Sequence, residues 1–412
     1  MRLLIVSQYF WPENFRVNDL VAELVARGHD VTVLTGSPNY PTGEVFPEFK
    51  RDRARFMQFS GAEVVRVPLW PRGAGHLNLI VNYASFAISA SLIGSWRLRG
   101  RKFDAIFAYE PSPVTVGIPA AVLRALKRAP VAFWVLDLWP ETLRALGILR
   151  SSWALNLVGR LVSFIYRRCD LILAQSRSFI PEIARYCAAG ARVVYFPSWA
   201  EPVFSGAQAP PASEVPERPG SFDVLFAGNI GEAQDFPAVL AAASLLKTDA
   251  RVRWLIVGDG RMSGWLRAEI DRLGLEDRVL MLGRYPLERM PSFYRRADAL
   301  LLSLKDEPIF SMTIPGKLQS YLAAGIPIIA MLNGEGAEIV KRSGSGVTCN
   351  AGDAGGLAAA VRFLAALPPE RRAEMAANAL RVSQTEFDRT RLVTQLEEWL
   401  AELTIDSGTS AH

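Results

Sequence analysis

The chain has 412 residues, half of them apolar, and is long enough to form more than one domain. Its three cysteines are widely spaced without a CxxC pair, and it has only three histidines, which argues against a disulfide framework, a zinc site or a histidine-rich metal centre. The net charge of +5 is unevenly placed: residues 1–200 hold 24 Lys and Arg against 14 Asp and Glu, whereas residues 201–412 hold 22 against 27. A basic half beside an acidic half predicts that one domain meets an anionic partner.

Apolar segments in the first half of the chain alternate with helical patterns. The predicted strands are residues 3–7, 31–35, 64–67, 105–108, 131–136, 171–174 and 193–196. Helices are predicted between them, for example over residues 17–27 and 115–127. Strands that alternate with helices indicate a parallel sheet that is covered on both faces.

Residues 76–96 contain no Lys, Arg, Asp or Glu and are long enough to cross a bilayer. Four polar residues recur at helical spacing and would form one stripe: Asn78, Asn82, Ser85 and Ser89. We therefore expect an amphipathic helix, either on a membrane or in the core of the first domain, rather than a transmembrane span. The basic residues that follow suit anionic lipid headgroups: Arg97, Arg99, Arg101 and Lys102. An RNA-binding pattern of interleaved arginines and aromatics is missing, so no nucleic acid partner is expected.

Residues 201–220 are rich in proline and are predicted to be a linker. A second alternating series follows, with strands at residues 222–227, 252–257, 279–282, 299–303, 326–330 and 346–348. The expected organisation is an α/β protein with one Rossmann-like domain over residues 1–200 and another over 221–385. A C-terminal helix over 386–403 could return to the first domain, and a polar tail over 404–412 is expected to be disordered. The functional cleft of such folds lies at the carboxyl ends of the strands.

The densest functional signal lies between residues 258 and 330. A predicted strand ends at Val257 and turns through Gly258-Asp259-Gly260 into a helix, and Pro315-Gly316-Lys317 opens a second helix that Gly325 ends. The N-terminus of a helix presents unpaired N–H groups and a partial positive charge, so it favours an anion. Lys317 opposes that dipole, which makes sense if a diphosphate lies between them. The alternative is an ordinary turn whose lysine points to water.

Several motifs occur in the order and spacing of a known family. They include Arg27-Gly28-His29-Asp30, Asp137-Leu138-Trp139-Pro140-Glu141, Ala227-Gly228-Asn229-Ile230-Gly231 with Gln234, Leu282-Gly283-Arg284, and Ile314-Pro315-Gly316-Lys317 with Tyr321. Over essentially its whole length the chain resembles the family-4 retaining glycosyltransferases of the GT-B fold, in which two Rossmann-like domains face each other across a cleft. Within that family it is most similar to bacterial surface-polysaccharide transferases of the O-antigen and colanic-acid type, including N-acetylfucosamine transferases.

The resemblance has departures that bear on the site. Many members carry two glutamates eight positions apart, the second of which meets the ribose; here Ser320 takes the second place and Met312 the first. Ser320 could donate one hydrogen bond but cannot accept as a carboxylate does, so Glu307 is the expected stand-in. The family's Arg and Lys pair after the first strand of the second domain is replaced by Asn229 and Gln234.

The resemblance implies a nucleotide-sugar site in the second domain. Lys317 and the N–H groups of residues 311–316 would neutralise the leaving diphosphate, and the Arg284-Tyr285 peptide would read the base. The expected binding residues are Gly228, Asn229, Gln234, Gly258, Gly260, Arg261, Arg284, Tyr285, Ser311, Thr313, Pro315, Gly316 and Ser320. Lys317 and Glu307 are expected to act in catalysis. No metal and no cofactor is expected, so positive charge and backbone N–H groups would have to stabilise the departing phosphate.

The first domain is expected to bind the acceptor. Glu13, Asn14 and Arg16 occupy its first βα loop, although Asn14 could equally cap the helix that follows. Asp137 follows a buried strand and is the expected catalytic carboxylate of this domain. Glu141 is expected to contact the acceptor, or else to favour the dipole of its own helix.

The resemblance implies transfer of an N-acetylated amino or deoxy sugar from a nucleotide diphosphate, with UDP favoured, to a polyprenyl-diphosphate-linked saccharide. The expected location is peripheral, on the cytoplasmic face of the inner membrane. Two alternatives stay open: a nucleotide-sugar 2-epimerase of the same fold, and a non-catalytic basic protein of the membrane surface. The small number of histidines argues against the epimerase, which would need more acid and base groups.

Overall fold

The computed structural model describes residues 1–41, 43–73, 75–145, 147–205 and 209–409. The chain divides into two compact units. The first is made of Met1–Pro197 together with the chain from Thr390 onwards, and the second is Ser198–Arg389. Each unit is a mainly parallel sheet with helices in its crossover connections, so the predicted fold class is confirmed.

Among the described residues of the first unit, eight strands form one sheet. They are β1 (Arg2–Ser7), β2 (Asp30–Gly36), β3 (Gln58–Phe59), β4 (Ala62–Val67), β5 (Ala105–Glu110), β6 (Val131–Val135), β7 (Leu171–Ala174) and β8 (Val193–Tyr195). Their spatial order is β3-β4-β2-β1-β5-β6-β7-β8, and β3 pairs with β4 antiparallel while the others are parallel. Strands β5 and β6 are buried along their whole length, which explains why they are apolar throughout except for Glu110 at the end of β5. Strand β3 has only two residues, too few to show a periodic pattern, and the sequence did not predict it.

The first unit has these α-helices in the described residues up to Pro197: α1 (Arg16–Ala26), α2 (Pro47–Arg51), α3 (His76–Ser89), α4 (Ser95–Arg97), α5 (Gly117–Lys127), α6 (Glu141–Ala145), α7 (Ser152–Tyr166) and α8 (Phe179–Ala184). A π-helical turn, Ala90–Gly94, joins α3 to α4 without a break. Helix α5 packs against both α3 and α7, so these three helices lie side by side.

Most of the polar stripe predicted along α3 faces the protein: Asn82 and Ser89 are buried and Ser85 is half-buried, whereas Asn78 is exposed. Asn82 is fully buried, accepts a 2.7 Å hydrogen bond from the Gln8 amide and donates to the Trp70 carbonyl. Ser89 donates to the Pro68 carbonyl at 2.5 Å. The opposite face of the same continuous helix exposes its large apolar side chains, among them Ile80, Val81, Ile88, Leu92 and Trp96.

Residues Asn78–Arg97 form a helical stretch that is long and apolar enough to cross a membrane by length and composition, and a third of it is buried in the protein. Because one face of this helix is hydrogen-bonded to its own domain and the other is apolar and exposed, it is amphipathic, in agreement with the sequence. Its polar groups satisfy backbone groups of the segment before the helix, and the apolar side is turned outward.

The second unit has a sheet of six strands within the described chain. They are β9 (Phe222–Ala227), β10 (Val252–Val257), β11 (Val279–Gly283), β12 (Ala299–Ser303), β13 (Ile328–Met331) and β14 (Gly346–Cys349), in the parallel order β11-β10-β9-β12-β13-β14. The helices are α9 (Phe236–Leu245), α10 (Ser263–Leu273), α11 (Met290–Tyr294), α12 (Pro308–Met312), α13 (Gly316–Ala324), α14 (Glu335–Ser343), α15 (Ala354–Ala366) and α16 (Pro369–Thr385). The apolar core packs one face of the sheet against helices that include α9 and α15.

The last helix, α17 (Arg389–Thr409), belongs to the first unit. Leu392, Leu396 and Leu400 are fully or almost fully buried, and they recur every four residues along one face of α17. Glu397 on this helix forms a 2.6 Å ion pair with Arg27 and lies 2.5 Å from a ring nitrogen of His29. The return of the C-terminal helix to the first unit is therefore observed, and the first unit is not a continuous segment.

The predicted disordered tail over residues 404–412 is wrong for residues 404–409, which continue α17. Leu403 packs just before them and the helix has no breaker until its end, so its polar composition did not prevent helix formation. Residues 410–412 lie outside the described part of the chain.

The segment 201–220 is not a free linker. It starts with a 3₁₀ helix, Pro202–Ser205, and residues 209–220 pack on the second unit. Ala212 is buried, and its N–H group donates to the Ser292 carbonyl at 2.9 Å. Glu214 forms a 2.7 Å ion pair with Arg289. The prolines reduce the conformational entropy that this irregular segment loses on folding, so its proline-rich composition is compatible with an ordered conformation. Residues 206–208 lie outside the described chain.

Candidate functional site

The loops after β9 and β10 form the centre of the predicted nucleotide site. These two strands are neighbours, with Ala227 paired to Val257, so both loops leave the same edge of the sheet. They are locked together by backbone hydrogen bonds: the Ile230 N–H group donates to the Asp259 carbonyl at 2.9 Å, and the Met262 N–H group donates to the Ile230 carbonyl at 3.0 Å. The edge is therefore fixed before any ligand arrives.

Gly258 and Gly260 were predicted to let the backbone approach a nucleotide. In the structure each instead makes room for the neighbouring loop. Gly258 has φ +143°, and a Cβ there would lie 1.8 Å from the carbonyl oxygen of Gly228. A Cβ on Gly260 would lie 2.3 Å from the carbonyl oxygen of Ile230. These glycines are required by the contact between the two loops, whatever else they do.

Lys317 reaches this edge from the start of α13. The Ala227 N–H group donates to the Tyr321 hydroxyl at 3.0 Å, which ties α13 to the end of β9. The Lys317 ammonium consequently lies 3.6 Å from the centre of the Phe226 ring, and a Cβ on Gly228 would be 2.4 Å from its Cε atom. The lysine thus points along the sheet edge and not into water, which excludes the ordinary-turn alternative.

Burial lowers the pKa of Lys317 to about 7. A cation over an aromatic face gains some electrostatic stabilisation, but it gains much less than it would from an anion. No carboxylate forms an ion pair with Lys317 within the described residues. This site therefore holds a cationic group that a bound anion would stabilise.

The remaining predicted residues of the glycine loops have local partners or lie in solvent. The Gln234 side chain accepts a 3.1 Å hydrogen bond from the Gly231 N–H group, so it fixes its own loop. Asn229 is exposed at the tip of that loop. Arg261 and Arg284 are exposed at the same edge, since the Gly258 N–H group donates to the Gly283 carbonyl just before Arg284. Tyr285 is half-buried, with its ring 4.6 Å from that of Phe293.

The N–H groups of residues 311–316 are only partly available. Those of Ser311 and Thr313 donate to the carbonyls of Glu307 and Phe310, so the expected contribution of these two to a diphosphate site is not supported. The Thr313 hydroxyl donates to the Ile309 carbonyl at 2.8 Å. Pro315 precedes α13 in an extended conformation, and Gly316 is its first residue, so the first turn of α13 opens beside Lys317.

Ser320 has a carboxylate partner that the sequence did not predict. Its hydroxyl donates to Glu201 at 2.5 Å, and Ser320 is buried. Glu307, the expected stand-in, is half-buried just before α12. The place beside Ser320 is therefore filled by Glu201. The two residues are 119 positions apart, and Glu201 begins the proline-rich segment that the sequence presented as a linker, so only long-range packing reveals the pair.

In the first unit, Glu13 was expected to contact a substrate, but it holds two loops together. It is buried, and its oxygens accept 2.7 Å hydrogen bonds from the Asn39 and Tyr40 N–H groups and a 3.1 Å bond from the Phe10 N–H group. Burial raises the pKa of Glu13 to about 7, against the opposing effect of these N–H donors. Its acceptor capacity is largely used by the protein.

The other two residues of this loop lie differently from the prediction. Asn14 is exposed, and it does not cap α1, because the residue before that helix is Phe15. Asn18 instead braces the loop, accepting from the Trp11 N–H group and donating to the Glu13 carbonyl. Arg16 is the first residue of α1 and is half-buried.

Asp137 lines a cavity of about 280 Å³ at the carboxyl edge of the first sheet. Its walls include Tyr9, Phe15, Tyr40, Arg72, Tyr83 and Asp137. Tyr9 stacks on Phe15 at 5.4 Å, and the Arg72 guanidinium lies 5.3 Å from the centre of the Tyr40 ring. An aromatic cavity with one guanidinium and one carboxylate is suited to a polar, anionic or sugar-like group.

The Asp137 carboxylate is held by the start of the following helix. It accepts a 2.5 Å hydrogen bond from the Thr142 hydroxyl and a 3.1 Å bond from the Trp139 indole. Burial raises its pKa. Glu110, at the end of β5, is fully buried beside it and accepts from the Asp137 N–H group at 3.3 Å. Burial, followed by the charge of Asp137, raises the pKa of Glu110 well above its usual range. In the sequence, Glu110 stands at the end of an apolar strand, and this position would have identified it as a candidate site residue.

Glu141 does not share this arrangement. It is the first residue of α6, and it accepts a 3.0 Å hydrogen bond from the Tyr186 hydroxyl. Burial raises its pKa. Tyr186 belongs to a different cavity, which Arg144 also lines. The turn between Asp137 and Glu141 therefore directs Asp137 into its cavity and Glu141 toward the Tyr186 hydroxyl. The contact of Glu141 with the acceptor stays a prediction.

Within the described residues, no group of three or more His, Cys, Asp or Glu side chains could hold a metal ion. The expectation of metal-independent catalysis stays a prediction.

Two family models match the chain, one in each unit. A "Glycosyl transferase 4-like domain" matches residues 14–199, and "Glycosyl transferases group 1" matches residues 221–366. The chain is 25% identical over 344 residues to the "Putative colanic acid biosynthesis glycosyl transferase WcaI" of Escherichia coli (strain K12), which covers 79% of this chain and 82% of that protein.

Solved glycosyltransferase structures share the fold. Anabaena Alr3699/HepE, solved in complex with UDP and glucose, has a TM-score of 0.67 at 17% identity and covers 97% of this chain and 99% of its own. WaaG, a glycosyltransferase involved in lipopolysaccharide biosynthesis, has a TM-score of 0.63 at 14% identity, with 97% and 99% covered. With a glycosyl transferase model matched in each of its two Rossmann-like units, the chain belongs to the GT4 family of glycosyltransferases, which have the GT-B fold.

Proposed function

We propose that this glycosyltransferase moves an N-acetylated amino or deoxy sugar from UDP to a polyprenyl-diphosphate-linked saccharide, with retention of the anomeric configuration. The reaction would take place on the cytoplasmic face of the inner membrane, in the synthesis of a surface polysaccharide. The similarity to the colanic acid transferase WcaI supports this class of product, and UDP bound to the structural neighbour HepE supports UDP as the nucleotide.

The observation that carries the donor site is Lys317. Its ammonium lies at the carboxyl edge of the second sheet, beside a rigid pair of loops and without an ion-pair partner in the described chain. A diphosphate in front of the first turn of α13 would meet both this charge and the helix dipole. Stabilising charge where it develops on the leaving phosphate is the principal catalytic contribution that such a site makes.

Other residues of the second unit extend the donor site in two directions. Glu201, held by Ser320, supplies a carboxylate for the ribose hydroxyls, the function that we first expected of Glu307. Carboxylates accept two hydrogen bonds at once, which suits a pair of neighbouring hydroxyls. The exposed Arg284 and the adjoining Tyr285 follow β11 at the same sheet edge and would meet the base.

For the acceptor we propose the aromatic cavity of the first unit. Tyr9, Phe15 and Tyr40 offer faces for a sugar ring, and Arg72 offers charge for a phosphate. Asp137 would orient the acceptor hydroxyl, while the departing phosphate oxygen takes its proton on the same face of the donor sugar. No strongly basic side chain is then needed, in agreement with the shortage of histidine.

A direct assay tests this function. The full-length protein is incubated with radiolabelled UDP-N-acetylhexosamines and a polyprenyl-diphosphate-linked saccharide, and the label in the lipid fraction is measured. We expect transfer with UDP sugars and little with the matching GDP or dTDP sugars. Transfer that prefers a GDP or dTDP donor would contradict the nucleotide assignment, and nucleotide release without labelled lipid would contradict the acceptor.

Chelation tests the proposal that protein groups alone neutralise the leaving diphosphate. We expect the transfer rate to be unchanged in excess EDTA, because Lys317 and helix dipoles take the place of a metal. A loss of transfer that Mg²⁺ or Mn²⁺ restores would show that the charge of Lys317 is not sufficient.

A further inference from the structure

A second cavity of the first unit is lined by arginines. It measures about 680 Å³ and lies between α6, α7 and the segment after α8. Its arginines are Arg144, Arg160, Arg167, Arg168 and Arg185. We call it the arginine groove. It shares no lining residue with the cavity of Asp137.

Few acidic groups balance this charge. Arg185 pairs with Glu182 at 2.5 Å, and Arg168 packs over the Phe164 ring and donates to the Phe164 carbonyl. In the described chain, Arg144, Arg160 and Arg167 have no ion-pair partner.

The carboxyl group nearest to Arg144 along the chain adds little. Glu141 accepts from the Tyr186 hydroxyl, and burial raises its pKa against the opposing effect of Arg144, with which it forms no ion pair in the described chain. Several guanidinium groups that share one cavity repel each other, which costs stability unless an anion joins them. The arginine groove is therefore matched in charge to an anionic group, and guanidinium forks match phosphate in geometry.

Helix α7, which carries Arg160 and is followed directly by Arg167 and Arg168, also exposes large apolar side chains. Trp153 is 74% exposed, Leu157 54% and Phe164 43%. The spacings of four and seven residues place them on one face of α7, and Arg160 and Arg167, also seven apart, run along the edge of that face. An apolar face bordered by arginines is typical of helices that lie in a membrane interface.

The helices that pack beside α7 in turn also expose apolar side chains. Helix α5, which contacts both α7 and α3, exposes Leu126, and α3 with its continuation exposes Ile88, Leu92 and Trp96. A soluble phosphate would account for the arginines but not for the exposed tryptophan, leucine and phenylalanine beside them. The combination points to a phosphate that carries an apolar tail.

We propose that the arginine groove binds the phosphate groups of an anionic lipid surface while the apolar face of α7 enters the acyl boundary. This inference rests on the peripheral membrane location in the proposed function and adds the site that makes the contact. It also replaces the basic run after α3 as the main electrostatic contact. Arg101 in that run is paired with Glu63 at 2.5 Å, Arg97 donates to the Arg66 carbonyl, and Arg99 stacks on Trp96.

Sedimentation of the full-length protein with vesicles tests the groove. The vesicles contain equal parts of phosphatidylglycerol and phosphatidylcholine, with phosphatidylcholine alone for comparison. We expect binding only to the anionic vesicles, and we expect the double variant Arg160→Gln/Arg167→Gln to bind about thirtyfold more weakly, at about a fivefold loss for each charge. The matched variant Arg99→Gln/Lys102→Gln removes the same charge, and we expect a loss of no more than about threefold.

The thermal transition of each variant reports that the first unit is folded, and an unchanged UDP affinity reports that the second unit, with the proposed donor site, is unaffected. If the wild-type protein does not bind anionic vesicles, the membrane location in the proposed function fails, and the groove proposal with it. If the wild type binds and the groove variant binds equally well, the groove proposal alone is overturned.

A last experiment distinguishes a lipid phosphate from a soluble phosphate as the ligand of the arginine groove. The variant Trp153→Ser/Leu157→Ser keeps every arginine, and we expect it to lose vesicle binding as well. If it binds vesicles like the wild type, and if inorganic phosphate releases the protein from vesicles when ionic strength is held constant with KCl, the groove takes a soluble phosphate and the lipid proposal is wrong.

Discussion

The carboxyl edges of the two sheets are built differently. In the second unit, backbone hydrogen bonds and glycines lock the loops after β9 and β10, and the lysine beside them has no counter-charge in the described chain. In the first unit, the loops are held by carboxylates, since Glu13 and Asp137 accept hydrogen bonds from the protein itself. A charge that is left unpaired by the fold is available to a ligand. We infer that the second unit contributes charge to substrate binding, whereas the first contributes mainly shape and aromatic surface.

The largest expected effect tests the rigidity of the second edge. Gly258→Ala would place a Cβ against the Gly228 carbonyl and hold alanine at φ +143°, and we expect a loss of about 4 kcal/mol of stability in that unit. The measurement is the midpoint of the thermal transition that UDP shifts. Gly264→Ala is the matched control, because a Cβ there meets nothing within 4 Å and the site is in α10, so little change is expected. Equal midpoints for both variants would contradict the locked-loop account.

The next effect concerns the unpaired charge. Lys317→Ala should lower the transfer rate by about a hundredfold or more while the melting temperature stays near that of the wild type, because it removes charge stabilisation of the leaving phosphate. Lys341→Ala, an exposed lysine in the last turn of α14, is the control and should transfer normally. Near-normal turnover of Lys317→Ala would remove this lysine from the site.

The pH dependence of UDP affinity is a second test of the charge of Lys317. In the free protein the pKa of Lys317 is about 7, and pairing with a diphosphate should raise it. Below pH 7 the lysine is already charged, so binding takes up no proton there. Above pH 7 binding takes up one proton, and affinity should fall by up to about tenfold per pH unit until the pKa of the complex is reached. Calorimetric titration between pH 7 and pH 9 measures this slope, which Lys317→Ala should abolish; an unchanged slope in that variant would assign the proton to another group.

The smallest expected effect concerns the ribose. Glu201→Gln keeps an acceptor for the Ser320 hydroxyl but removes the negative charge, so UDP should bind about tenfold more weakly. The preference for UDP over 2′-deoxy-UDP should shrink with it. Glu307→Gln, at a half-buried position just before α12, should leave both quantities unchanged. If Glu307→Gln loses the preference and Glu201→Gln keeps it, our first expectation from the family pattern was correct and the observed pair has a structural role only.

The division of the chain into two units differs from the division predicted from the sequence. The halves taken from the linear sequence carry +10 and −5, but α17 moves one basic and four acidic residues into the first unit. The units therefore carry +7 and −2. A fragment of residues 1–200 would also lack the helix that buries Leu396 and Leu400 against the rest of that unit. Such a fragment is a poor test of membrane binding, which is why the vesicle experiments use the full chain.

The alternation of apolar strands and helices in the sequence was sufficient to predict the fold class and nearly all the strands, because the spacing of apolar residues follows the period at which each element is buried. The glycine loops and the start of α13 were also found from sequence, since tight turns and helix starts need particular residues. Partners distant in sequence were decided only by the tertiary structure: Glu201 with Ser320, Glu110 with Asp137, and Glu397 with Arg27. Only the tertiary structure shows that most of the polar stripe of α3 faces the protein. Only the tertiary structure shows, likewise, that Arg160 and Arg167 share a cavity with other arginines and lie beside exposed apolar side chains. Spacing fixes which side chains share a face, but packing alone fixes what that face meets.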